Sequence, residues 1–226
     1  NRGEKMSKSL GNVADPKELA ETFGVDALRY FLLAEVSFGN DGSYSAEAIV
    51  HKTNTELGNA FGNLAQRTLS FIAKNLNGAL PKPAPTADDE ALLATVREAT
   101  AGEMPRAFEA LAPHEAIQAW LRAAYACNAY IDAQAPWALR KTDPVRMEAV
   151  LATLYVAIGE LAIGILPVIP TSATALLDHM GVPVEVRSYG GLSGAWYPAL
   201  ISKEYVIEAP KPLFPRLEMP AEAEAE

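Results

Sequence analysis

The chain has 226 residues, half of them hydrophobic and 21% charged, which is enough to bury a core in one large domain, or in a main domain with small attachments, and too apolar for a disordered chain. Its net charge of -9, with an isoelectric point near 4.9, repels polyanions globally, so any nucleic-acid contact must rest on a local patch of Lys and Arg. The single cysteine, Cys127, excludes an intrachain disulfide and a cysteine-based zinc site, and it fits a reducing, cytoplasmic setting.

Fifteen Gly and sixteen Pro set among Ala- and Leu-rich runs predict a mainly α chain with firm punctuation between helices. The Asn1-Arg2-Gly3 opening, with neither a start methionine nor a leader, reads as an entry in mid-protein. After a Lys/Ser-rich loop, Asp15 as N-cap and Pro16 in the first turn start a short helix over Lys17 to Phe23 that Gly24 stops. Val25 to Glu35 follows as an amphipathic helix with Leu28, Phe31 and Leu32 on one face. Residues 1–44 are thus expected to form a loop and connector.

Ser45 opens a long helix to about Asn75, ended by Asn77-Gly78. A proline-rich crossover spans Leu80 to Thr86, and further helices are predicted over Asp88 to Gly102, Pro113 to about Ala133, Pro144 to Leu166 and Thr171 to Met180. Together they predict an antiparallel bundle over residues 45–181. Ala149 to Pro170 is apolar and close to the ~20 residues that span a bilayer, but Glu160 at its centre argues for a buried core helix and no membrane. Residues 182–218 are expected as an extended tail over the bundle, and residues 219–226, with their Ala/Glu alternation, as disordered.

Three constellations carry chemistry. Lys5-Met6-Ser7-Lys8-Ser9-Leu10-Gly11-Asn12 combines two ammonium groups, two hydroxyls and a glycine, a set suited to clasping a polyphosphate, although composition alone favours a solvated basic turn. Asn59, Asn63 and Arg67, at i, i+4 and i+8, form a row of donors and acceptors able to pair with base edges or phosphate; a solvated helix face has the same composition. In Gln134-Ala135-Pro136-Trp137 a proline breaks a helix and presents an indole, which serves either as a stacking platform for an unstacked base or as a core plug. His51, His114 and His179 show no metal-ligand or triad spacing.

In order as well as composition, KMSKSLGN followed by DPKELAETFGVDALRYFLL resembles the class I aminoacyl-tRNA synthetases for methionine, valine, leucine and isoleucine. NAFGNLAQR and QAPWAL, with the closing FPRLE, resemble the methionyl-tRNA synthetases in particular, over Lys5 to about Glu218. The resemblance implies the C-terminal edge of a catalytic domain followed by a helix-bundle anticodon-binding domain. It implies ATP contacts at Lys5, Met6, Ser7, Lys8 and Ser9, with Lys8 and Lys5 supporting catalysis. It places Asn63, Arg67 and Trp137 at the anticodon of tRNA(Met), with Asn59 nearby. ATP with Mg2+ and methionine are then the substrates of the intact enzyme, and a monomer is expected. The family's His-x-Gly-His signature does not occur in this sequence, so this portion alone is expected to be inactive in aminoacylation. A leucine-, isoleucine- or valine-type synthetase and a free-standing RNA-binding module remain as alternatives.

Overall fold

The computed structural model describes residues 7, 14–37, 39, 40, 42 and 44–220. The lysine loop, apart from Ser7, and the Ala/Glu end at 221–226 lie outside the described residues, so the expectations of an ATP clasp and a disordered end are not addressed by it. The described residues are mainly helical, with no strand among them beyond an isolated bridge between Ala79 and Val206.

Helices α1 (Pro16–Phe23) and α2 (Val25–Glu35) start where the punctuation predicts: the Asp15 carboxylate accepts from the Lys17 amide at 2.8 Å, and Gly24 takes φ 87° between them. Phe23, Ala27, Leu28 and Phe31 bury a small apolar cluster together with Ile49, across the junction at residue 44. Tyr30 points instead into the main core, where its ring lies edge-on to Trp120 and its hydroxyl donates to Glu56 at 2.7 Å. On the same face, the Asp26 carboxylate accepts from the Ser172 amide at 2.6 Å and Arg29 donates to the Pro167 and Val168 carbonyls at 2.7 and 3.0 Å. One helix thereby satisfies orphan groups on both sides of a helix corner.

The long helix is continuous but not uniform. α3 (Ala46–Lys52), capped by Ser45, passes into a π-helical stretch Thr53–Gly62 and then into α4 (Asn63–Asn75). α5 (Ala87–Arg97) begins with a capping box in which Thr86 and Asp89 satisfy one another's backbone. It does not end at Gly102 as expected. A second π stretch, Glu98–Glu103, carries it into α6 (Met104–Glu109), and the wider turn absorbs Pro105, which lacks the N–H that an α turn needs.

α7 (Pro113–Gln134), a short α8 (Pro136–Thr142), α9 (Pro144–Ile165) and α10 (Pro170–His179) complete the bundle. α9 is long and apolar enough to cross a membrane by composition, yet every residue from Ala149 to Ile165 is buried by its neighbours in the bundle. Glu160 is fully buried there, and Arg97 donates to both its oxygens at 3.0 and 3.2 Å while also binding the Ser193 carbonyl at 3.1 Å. Burial raises the Glu160 carboxyl above its ordinary range, and the Arg97 guanidinium opposes that rise.

Residues 182–218 correct the expectation of an extended tail. Two single 3-10 turns precede a helix, α11 (Trp196–Ser202), that buries Trp196, Tyr197 and Leu200, and the stretch after it is irregular. That stretch runs back along the long helix: the Ile207 amide bonds the Gly78 carbonyl, Gln66 bonds the Pro210 carbonyl, Phe214 rests on Gly62, and the Asn54 amide pairs both backbone groups of Leu217 at 2.9 Å.

Candidate nucleic-acid interface

α7 ends at Gln134 because Ala135 turns left-handed, with φ 43° and ψ 62°. Pro136 then starts α8, where its missing N–H is no loss and its fixed φ suits a first turn. Trp137 is the second residue of α8 and is 46% exposed, so it is not a core plug. Sequence reasoning had taken the proline as a helix end; it is also a helix start.

Arg67, half-buried on α4, holds its guanidinium carbon 5.3 Å from the centre of the Trp137 ring and donates to the Asp132 carboxylate at 2.8 Å. Phe71, Ile131, Pro136 and Leu151 line a recess of about 180 Å3 behind the pair. A cation on one face of an indole, with much of the ring still in solvent, makes a platform on which a base can stack for ~1–3 kcal/mol. Asn63 lies one turn before Arg67 and is exposed, and its amide has no hydrogen-bond partner among the described residues. Lys74 lies two turns beyond Arg67 on the same stripe, and Arg140 of α8 reaches the Asn75 side chain at 2.7 Å. In an acidic chain these side chains supply the local positive charge that a polyanion requires.

Asn59 is not brought into this group. The predicted row of three crosses from π to α geometry between Asn59 and Asn63, and Asn59 opens onto a separate groove with His51, Asn54 and Arg216. Asp132 was missed as a site residue, although it sits only five residues before Trp137. Helical spacing places it near the end of α7, but only the packing of α7 against α4 shows that it meets Arg67.

A family model described as "tRNA synthetases class I (M)" matches residues 1–69, and one described as "Anticodon binding domain of methionyl tRNA ligase" matches residues 80–221, more than half of the chain. The chain belongs to the methionyl-tRNA ligase family. A methionine–tRNA ligase of Brucella suis is 45% identical over 216 residues, covering 96% of this chain and 41% of the relative's length. Another, from Mycobacterium tuberculosis, is 44% identical over 225 residues, covering 97% of this chain and 42% of its own. Among solved structures, M. tuberculosis methionyl-tRNA synthetase bound by methionyl-adenylate superposes with a TM-score of 0.86 at 42% identity, over 93% of this chain and 42% of that one. Its apo form gives 0.84 at 40% identity, over 92% of this chain and 42% of that one. The chain therefore spans about two fifths of the length of these relatives. Both family models and the fold agree with a class I synthetase portion whose helix bundle is the anticodon-binding domain.

Proposed function

We propose that this chain is the C-terminal portion of a methionine–tRNA ligase and that its bundle reads the CAU anticodon of tRNA(Met). In the intact enzyme, methionine and ATP, accompanied by Mg2+, give methionyl-adenylate and pyrophosphate, and the methionyl group then passes to the terminal adenosine of the tRNA. The observation that carries the anticodon reading is the half-exposed Trp137 ring backed on one face by Arg67, with the free amide of Asn63 one turn away. Trp137 stacks on an unstacked base, Asn63 pairs with a base edge, and Arg67 orients the indole while lending charge for phosphate. Asn59, on its own groove, contacts the RNA outside the stacking site.

The reading of Lys5, Met6, Ser7, Lys8 and Ser9 as the ATP loop is supported by the motif and by the family match over residues 1–69. There Lys8, assisted by Lys5, stabilises charge growing on the departing pyrophosphate. Its setting is the cytosol, where the buried thiol of Cys127 stays reduced, and the enzyme acts as a monomer. In the full-length enzyme, Lys8→Ala should depress ATP–pyrophosphate exchange and spare tRNA affinity, whereas Trp137→Ala should weaken charging and spare exchange. Normal exchange in the first variant would remove the lysine role; normal charging in the second would remove the anticodon role of the indole.

A further inference from the structure

Trp137 has little packing of its own to fix it. Its ring is half in solvent, and its turn depends on Ala135 holding a left-handed conformation that an L-residue with a Cβ disfavours. Such a conformation persists only where the surroundings over-determine it.

The surroundings here are a polar brace built on one carboxylate. Asp89, fully buried in the first turn of α5, accepts from the Tyr130 hydroxyl, from the Thr86 amide at 2.8 Å and from both terminal nitrogens of Arg146. Arg146 stands in the first turn of α9, where its own amide donates to the Asp143 cap at 3.0 Å. Its guanidinium also reaches Gln134 Oε1, the last side chain of α7, at 2.9 Å. Three helices are thereby tied at the corner from which Trp137 springs, and Arg146 closes the segment 134–146 at both of its ends. A buried ion pair of this kind adds little net stability compared with apolar packing; its best-attested use is to fix register.

We propose that Asp89, Arg146 and Gln134 are positioning residues that set the pose of Trp137 for base stacking. None of them presents a group to the stacking face. Asp89 fixes the Arg146 fork, the fork holds Gln134, and Gln134 holds the last turn before Ala135. This inference rests on the anticodon reading for its consequence but not for its geometry.

Gln134→Ala separates positioning from folding, because it cuts the link to the corner and leaves the buried pair Asp89–Arg146 in place. Trp120 and Trp196 are buried, so iodide quenching of tryptophan emission reads Trp137 selectively, with Trp137→Phe as the reference. In the 226-residue chain, Gln134→Ala should keep the wild-type Tm, increase the iodide-quenchable emission, and weaken binding of a CAU stem–loop RNA by about 3- to 10-fold, roughly 0.6–1.4 kcal/mol. Arg146→Lys, which cannot span both Asp89 oxygens and Gln134, should move both readouts the same way. Unchanged quenching in Gln134→Ala would overturn the brace whatever the RNA does. Changed quenching with RNA binding that even Trp137→Ala leaves intact would keep the brace as the determinant of the pose and remove the anticodon reading instead.

Discussion

Replacing Gly159 by alanine tests how α11 is held. Gly159 lies in the middle of α9, and a Cβ added there would fall 2.5 Å from Cζ2 and 2.8 Å from Cη2 of Trp196, a ring only 4% exposed. In an unencumbered helix interior, Gly→Ala stabilises by ~1 kcal/mol through the unfolded chain and helix propensity. Here the ring is rigid, and its neighbours Tyr155 and Tyr197 hold it on two sides, so it cannot swing aside. Overpacking of this kind destabilises by roughly 1–3 kcal/mol. With contacts as short as 2.5 Å against a held ring, the clash falls in the upper part of that range, about 2–3 kcal/mol, and outweighs propensity, giving a net loss of about 1–2 kcal/mol and a Tm lower by about 2–8 °C for a chain of this size. Thermal and urea melts of Gly159→Ala, and of the same change combined with Trp196→Leu, read the effect: the double variant should recover part of the loss relative to Trp196→Leu alone. A Gly159→Ala chain as stable as wild type or more so would refute the seating of α11 in this notch.

Further outcomes follow from buried charges and the thiol. Burial tends to raise the Asp89 carboxyl, but the hydrogen bonds from Arg146, Tyr130 and the Thr86 amide win and hold it at about 2 against an ordinary 3.8. Its contribution of about 2 kcal/mol is therefore complete above pH 4 and lost as pH falls toward 2. Asp89→Asn should differ most from wild type at neutral pH in urea melts, and a difference that grows on acidification would contradict this. Glu160 has the opposite sign: its folded value is raised above 4.5, so its contribution is full below that value and falls as pH rises through the raised one. Glu160→Gln, whose amide oxygen can still accept from Arg97, should flatten the decline in stability above pH 4.5; an unchanged pH profile would refute it. Burial, reinforced by Glu160, pushes the Cys127 thiol up to about 12, so maleimide labelling should follow global unfolding, and rapid labelling of the native chain would show the site open.

Much of the helical framework was legible because its boundaries are local. Asp15-Pro16, Gly24, Ser45, Pro144 and Gly181 act through caps and fixed dihedrals, and the helices beside them start or stop within about a residue of the expected place. The errors have non-local causes. α11 forms where glycines suggested extended chain because Trp196 is driven into the notch at Gly159, some forty residues away. The helix past Gly102 survives Pro105 through a π turn that composition does not reveal. The same deviation separates Asn59 from Asn63, since a row drawn at α-helical spacing assumes a period that Thr53–Gly62 does not keep. At the interface, motif order brought Asn63, Arg67 and Trp137 forward as a set. What it left out, the Asp132 partner and the Asp89–Arg146 brace, depends on contacts between residues 57 and 65 positions apart.

The central claim is that the bundle reads an anticodon through the Trp137 platform. Its most direct test is the affinity of this chain for tRNA(Met) against the same tRNA with its CAU anticodon changed, at one fixed salt concentration because phosphate contacts are salt-dependent. Tighter binding of the CAU form, with the preference lost in Trp137→Ala, is the expected result. Equal binding of the two tRNAs by the wild-type chain would contradict the account.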